Sequence, residues 1–438
     1  AAFDSLSDGD TVLVATGVYS ESLQAPNNVS FVLLGEVDST GNPDRPVVDP
    51  SQLEGSTHLA CLTVPFQCRV IIENFIFRNG PEMFPRVPPG AVGGIWNEGL
   101  ELNLYNCKFD STCHGLHLPY GPLGTLTVAD CDFVNNVFMC IYDLNQGPAF
   151  ISNSSFSGTD MLARFSDSTL VDSCTFHPVQ NGTEWIWLLG AGSTVKRCTF
   201  GPGTATYYDV IWTANSRGCT FEDNLFQDLE LTGAAIWFGA FGTDTSYFRG
   251  NVFRNTQAEA LAAGGGVLLA NQGTEPPNIV MRENIFDSCR ALSENGWGSI
   301  EIDHVNAKLE DNHFIGPDIP MPNVRAFGSP MATIQNCFFE NTGRALWSDG
   351  PMNAELNWWG DSTGPYHAQL NPNGQGDEIV GPVDFEPWLT DTALTSPDSR
   401  SPLPQSCQLE VFPNPFNATA VLRFVVDQPG TYNVDLYN

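Results

Sequence analysis

A solenoid of stacked parallel β-strands is the fold class this sequence predicts, and three observations predict it. A short frame recurs along the chain, apolar residues inside each unit alternate with period two, and turn-forming residues separate the units. The frame reads apolar-x-polar-(Asn or Cys)-x-Phe. It runs as LYNCKF ending at Phe109, VADCDF at Phe133, ISNSSF at Phe156, VDSCTF at Phe176 and VKRCTF at Phe200. It continues as FEDNLF at Phe226, FRGNVF at Phe253, MRENIF at Phe286, LEDNHF at Phe314 and IQNCFF at Phe339. IENFIF at Phe77 opens the series imperfectly, and LNWW closes it with Trp359 in the Phe slot. The steps lie between 20 and 33 residues, and the 12 frames imply about 12 rungs. Units this short cannot bury their own apolar faces, so they must stack.

Each element of a unit follows from local chemistry. In Ala235-Ile236-Trp237-Phe238 apolar and outward positions alternate, which is the pattern of a strand and not of a helix. Asn, Gly, Asp and Ser stand between strands, and these residues tolerate left-handed backbone at turns. A sandwich would show turn signals about every 8–12 residues, which is denser than this spacing. Stacking also explains the repeated slots. Asn224, Asn251, Asn284 and Asn312 are expected to form a rung-to-rung amide ladder. The Phe rings should stack at the strand spacing of about 4.8 Å.

Composition narrows the function. The 438 residues carry 18 Lys+Arg against 50 Asp+Glu, a formal charge of −32. Charged residues make up only 16%, where about 25% is usual, so the acidity comes from missing bases. Nucleic acid is excluded as a partner, because phosphate binding needs a basic face. No run approaches the roughly 18 apolar residues of a membrane-spanning helix, so no transmembrane segment is expected. With 42% hydrophobic residues and 29 Phe the chain can build a large core, which excludes disorder as its main state.

Three stretches resemble the right-handed parallel β-helix superfamily, to which pectate lyases and many bacterial surface proteins belong. Asp8-Gly9-Asp10-Thr11-Val12 followed by Gly17-Val18-Tyr19-Ser20-Glu21 is similar to its opening. The repeats are the second stretch. The third is Asn357-Trp358-Trp359-Gly360-Asp361-Ser362-Thr363-Gly364-Pro365 with Val383-Asp384-Phe385-Glu386-Pro387-Trp388-Leu389, which resembles the usual closing segment. The resemblance covers roughly residues 1–390 and implies the fold, while activity stays open because this rod hosts lyases, hydrolases, esterases and inert adhesins.

The expected organisation is an N-terminal cap with the first rungs over 1–50, the β-helix over 51–390, a Pro/Ser-rich linker over 391–406, and a partial β domain over 407–438. Ala1-Ala2-Phe3-Asp4-Ser5-Leu6 reads as the end of a capping helix after removal of a signal peptide. Leu409-Glu410-Val411-Phe412-Pro413-Asn414-Pro415-Phe416-Asn417, with the β pattern of Val421-Leu422-Arg423-Phe424, resembles the start of the C-terminal sorting domain of type IX-secreted bacterial proteins. That resemblance implies export to the outer cell surface or the extracellular medium.

The most informative feature is what the second strand of each rung turns to solvent. If Ile95, Leu116, Ile141, Ile186, Ile211, Ile236, Ile300 and Leu346 point inward, the following residues point outward. These are Trp96, His117, Tyr142, Trp187, Trp212, Trp237, Glu301 and Trp347, with Arg164, Leu268 and Arg325 in the intervening rungs. Two readings stand side by side. In one, loops cover the column or Trp fills the core. In the other, the column is an exposed aromatic strip that binds polysaccharide or a neighbouring surface protein. Self-association into a fibre is a further partner reading, because incomplete β domains invite strand addition.

Catalytic and metal candidates are fewer. Glu301 and Asp303 face one side of a strand with His304 beside them and Trp297 nearby, a pairing of the kind glycoside hydrolases use. Glu98 and Asp349 are offset by two from Trp96 and Trp347 in the same manner. The three lysines, Lys108, Lys196 and Lys308, read as scattered, with no basic cluster facing carboxylates as a lyase needs. Calcium is the one cofactor considered, with Asn371, Asn373, Asp377 and Glu378 as its candidate ligands in NPNGQGDE. Cys107, Cys131, Cys174, Cys198 and Cys337 share the ladder slot and read as buried thiols, with vertical disulfides as the alternative. Cys61 and Cys68 are the expected disulfide.

Overall fold

The chain is described by a computed structural model that covers residues 5–36, 45–52, 60–79, 93–119, 124–137, 139–144, 147–158, 161–165, 168–177, 185–189, 191–205, 209–259, 264–292, 296–316, 321–329, 331–392, 407–412 and 421–426. It divides into two compact units, Ala1–Thr390 and Asp391–Asn438. The capping helix expected over 1–6 lies mostly outside the described residues.

In the first unit each coil contributes one strand to each of three sheets, and neighbouring strands pair in parallel. The first sheet begins at Asp10–Val14, the second at Val18–Tyr19 and the third at Leu23–Gln24. The first and third sheets contain 15 strands; the second stacks 13, with the short strands Gly203–Ala205 and Arg290–Ala291 beside its path. The stack begins before the first frame. Tyr19 and Val48 stand in register ahead of Phe77, so the column that the frame marks with Phe needs only an apolar side chain. From Phe77 onward the rings stack at centroid distances such as 4.8 Å for Phe109–Phe133, 4.8 Å for Phe253–Phe286 and 4.8 Å for Phe339–Trp359.

The corner between the first and second sheets shows why the frame carries a polar residue before Asn or Cys. That residue adopts left-handed backbone at Asn106, Asp130, Asn153, Ser173, Arg197, Asp223, Glu283, Asp311 and Asn336. Gly250 takes the same place without strain. The corner turns the next side chain into the core, where the expected amide ladder forms. The Asn224, Asn251 and Asn284 amides each donate to the side-chain oxygen of the next Asn at 2.9 Å, ending at Asn312. Each also donates to a backbone carbonyl, of Val195, Phe221 and Phe248 respectively, so no polar atom of the ladder is buried alone.

The same slot holds Cys107, Cys131, Cys174, Cys198 and Cys337 as free, buried thiols. The Cys61–Cys68 disulfide is not formed. The Cys61 thiol reaches the Gly93 carbonyl at 3.0 Å, while the Cys68 thiol reaches the Pro26 carbonyl at 3.4 Å. The two side chains therefore point to different rungs, one onward and one back.

In the second unit Cys407–Phe412 pairs antiparallel with Val421–Val426, from Cys407 opposite Val426 to Phe412 opposite Val421. The remainder of the sorting-type stretch lies outside the described residues. Among the described residues no helix is long and apolar enough to cross a membrane.

Candidate functional site on the third sheet

The third sheet carries the outward column in unbroken register. Trp96, His117, Tyr142, Arg164, Trp187, Trp212, Trp237, Leu268, Glu301, Arg325 and Trp347 are successive partners across their strands. Beneath them Ile95, Leu116, Ile141, Ile186, Ile211, Ile236, Ile300 and Leu346 are fully buried. The Trp residues of the column are therefore outside the core, and each is half-buried.

Ring geometry explains the partial burial. Trp212 and Trp237 have centroids 5.1 Å apart and planes 5° from parallel. Two indoles lying flat side by side cannot approach that closely, so the pair stands upright on the sheet in offset stacking. Trp187 meets Trp212 edge to face at 4.9 Å, and Trp96 stacks on His117 at 4.7 Å. His117 meets Tyr142 edge to face at 4.9 Å. The strip is a ridge of rings in alternating stacked and edge-to-face contact, in place of an open row of faces.

Polar atoms are set into this ridge. Arg164 lies between Tyr142 and Trp187, 5.4 Å and 4.3 Å from their ring centres, with no carboxylate partner among the described residues. Nε of Arg164, Nε1 of Trp187 and Nδ1 of His117 are buried without a hydrogen-bond partner among the described residues. Burial, with His114 adding to it, lowers the His117 pKa to about 4, so the ring is neutral at physiological pH. His114, which the sequence reading passed over, stacks on Tyr142 at 5.8 Å and meets His117 edge-on at 5.3 Å. The sequence carried no signal for it, because residues three apart on a strand normally face opposite sides.

The catalytic candidates lie further along the same column. Arg325 donates to Oε2 of Glu301 from Nε at 2.8 Å and from Nη2 at 2.6 Å. Its guanidinium is enclosed by Trp297 at 5.1 Å and Phe327 at 4.5 Å. Burial pushes the Glu301 carboxyl up to about 7 despite Arg325, and Asp303 adds to the rise. Asp303 faces outward two positions on, but His304 sits in left-handed backbone at the strand end and binds Asp303 through Nδ1 at 2.5 Å. The structure thus joins Asp303 to His304 and Glu301 to Arg325. Asp349 accepts the Gly328 amide at 2.9 Å, and the side chain of Glu98 has no partner among the described residues.

The connections from the second to the third sheet include long ones, from Val48 to Leu62, from Arg78 to Ile95 and from Phe176 to Ile186, whereas the first-to-second corner takes two residues in most rungs. Residues 141–314, which include Tyr142, Arg164, Trp187, Trp212, Trp237 and Glu301, match the family model described as a right handed beta helix region. The fold is a right-handed parallel β-helix. The match covers less than half of the chain, and comparison with curated proteins finds no match.

In this β-helix the calcium candidates have other partners. Asp377 accepts the Thr342 hydroxyl at 2.6 Å and the amides of Thr342 and Gly343 at 3.0 and 3.2 Å. Glu378 pairs with Arg344 at 2.6 Å. Asn371 donates to the Thr363 and Pro365 carbonyls, both at 2.9 Å, and Asn373 is exposed. These contacts tie the closing loop to the last coil. Among the described residues no group of three or more His, Cys, Asp or Glu is placed to hold a metal ion.

The three lysines lie on separate rungs, and Lys308 lines a hollow on the outer face of the first sheet with Arg249, Arg282 and Glu310. The signal was present in FRGN and MREN, which place Arg at the same slot of consecutive units.

Proposed function

We propose that this β-helix is a secreted protein of the bacterial cell surface that binds polysaccharide, without catalysis, through the ridge on its third sheet. One observation carries the reading. Trp187, Trp212 and Trp237 hold successive outward positions on three rungs, beside buried side-chain nitrogens that lack partners. Exposed ring surface offers apolar contact to sugar C–H groups, and the Arg164 guanidinium between Tyr142 and Trp187 supplies donors that suit hydroxyls. A linear ridge with repeated spacing fits an extended polymer better than a compact small molecule. Right-handed β-helix regions occur generally in surface and carbohydrate-related proteins, which agrees with this reading. The sorting-type C-terminal sequence supports export. Affinity electrophoresis against a panel of polysaccharides tests it, with retardation expected for the wild type and lost in a Trp212→Ala/Trp237→Ala variant. Retardation that survives the double substitution overturns it.

A second reading draws on Glu301. A buried carboxyl with its pKa near 7 is what a general acid of a glycoside hydrolase requires, and Asp303 follows two residues on. Its test is release of reducing ends from a glycan panel. Activity abolished by Glu301→Gln and by Asp303→Asn would favour it over binding alone.

A further inference from the structure

On the outer face of the first sheet, six side chains from three rungs form a small grid. Tyr247, Val280 and Lys308 stand in register in one column, and Arg249, Arg282 and Glu310 in the next. Val280 is the short residue at the centre, and a hollow of about 210 Å³ opens over it. Drug-sized ligand sites run to about 300–1,000 Å³, so this one admits roughly a single ring with a substituent.

The charged side chains that line the hollow are mostly cationic. Arg282 and Lys308 both bind Glu310, Lys308 at 2.6 Å, and against its burial they hold that carboxyl below its usual range. Arg249 is exposed and has no carboxylate partner among the described residues. Three cations and one carboxylate line the hollow, while Asp311 lies 4.0 Å from Arg282 outside it and Glu222 stands in register beside Arg249. Tyr247 borders the hollow with its side chain 42% exposed. A ring face for apolar contact beside an excess of fixed donors is the chemistry that recognises a sugar ring bearing an oxyanion.

We propose that this hollow binds a single sulfated or carboxylated sugar unit, with the anion toward Arg249 and Arg282 and the ring against Tyr247 and Val280. The site belongs to the first sheet and is independent of the third-sheet ridge. An acidic peptide would meet the same charges, and it is therefore one of the competing probes in the test.

Calorimetric titration of the intact chain tests the proposal. The probes are a sulfated disaccharide, a uronic-acid disaccharide, their neutral parent, inorganic sulfate and a Glu-rich peptide. One of the two acidic sugars is expected to bind at least about tenfold more tightly than the neutral parent, and the tighter one identifies the anion. Arg249→Ala and Lys308→Ala should each weaken it by about tenfold or more, with binding falling as salt rises. Trp212→Ala should leave it unchanged, which separates this result from the fate of the ridge. Arg249 and Lys308 are exposed, so their variants should retain the near-ultraviolet dichroism of the wild type. The proposal fails if the neutral parent binds equally well, if inorganic sulfate or the peptide binds as tightly as the sugars, if neither substitution matters, or if no sugar binds.

Discussion

Trp212 and Trp237 stack 5.1 Å apart on neighbouring rungs, and the residues just before them, Ile211 and Ile236, are both fully buried. The ridge is therefore anchored to the core through the strand alternation, one residue in and the next out. On the proposed reading its upright rings contribute more to a ligand than to the fold.

Trp237→Ala is accordingly expected to lower polysaccharide affinity by about tenfold or more, as loss of an aromatic anchor does. The same change should cost only about 1 kcal/mol of stability, because the ring is half-buried and loses one stacking partner. Affinity electrophoresis and urea unfolding on one preparation measure both numbers. Equal losses in the two assays would contradict the division of labour.

Asn251→Leu keeps the volume of the ladder residue and removes its amide. The substitution strands the Phe221 carbonyl and the Asn224 amide groups in the core. A loss of about 3 kcal/mol is expected from such unsatisfied buried groups. Hydrogen exchange should accelerate first at the rungs of Asn224 and Asn284.

The pH dependence of stability carries two opposed slopes. Glu301 titrates near 7 when folded against a usual 4.5, so the folded state holds a proton that the unfolded chain has released in that window. Its contribution is complete below pH 4.5 and is lost as pH rises to 7. Glu301→Gln should flatten this decline, which is worth up to about 3 kcal/mol. Urea midpoints measured across the window provide the check.

His117 acts in the other direction. Its folded value near 4 lies below the usual 6.5, so stability falls as pH drops through that interval. His117→Phe should remove the acid-side loss. Because Trp96 stacks on His117 at 4.7 Å, its fluorescence should report the titration locally.

The cysteines should behave as free core residues. Burial pushes the thiols of Cys140, Cys289 and Cys337 up to about 12, so alkylation should be negligible in the native state. After unfolding without reductant, mass spectrometry should find Cys61 and Cys68 alkylated. A retained link between them would contradict the fold as described.

Much of this molecule is legible in the repeated frame. The inward Phe column, the Asn ladder and the in-register outward column all follow from period-two alternation combined with stacking, and the structure reproduces them position by position. Departures occur where the frame depends on one residue type. Tyr19 and Val48 continue the Phe column unseen, because a stacked core position requires apolar volume and not an aromatic ring. The Cys61–Cys68 expectation rested on closeness along the chain, whereas in a solenoid side-chain direction is set by the corner each residue occupies.

The repeat, its inward and outward faces, and the order in which outward residues meet along successive rungs are all written in the residue pattern. Tertiary structure alone decided orientation and pairing. It stood the Trp212 and Trp237 rings upright, joined Glu301 to Arg325 across a rung, and brought Arg249, Arg282 and Lys308 to the rim of one hollow. The physical reason is distance. Strands about 4.8 Å apart bring residues from neighbouring units into contact. Those residues lie 20 to 33 positions apart in the chain, and their rotamers and charges become mutually dependent only once the coils are closed.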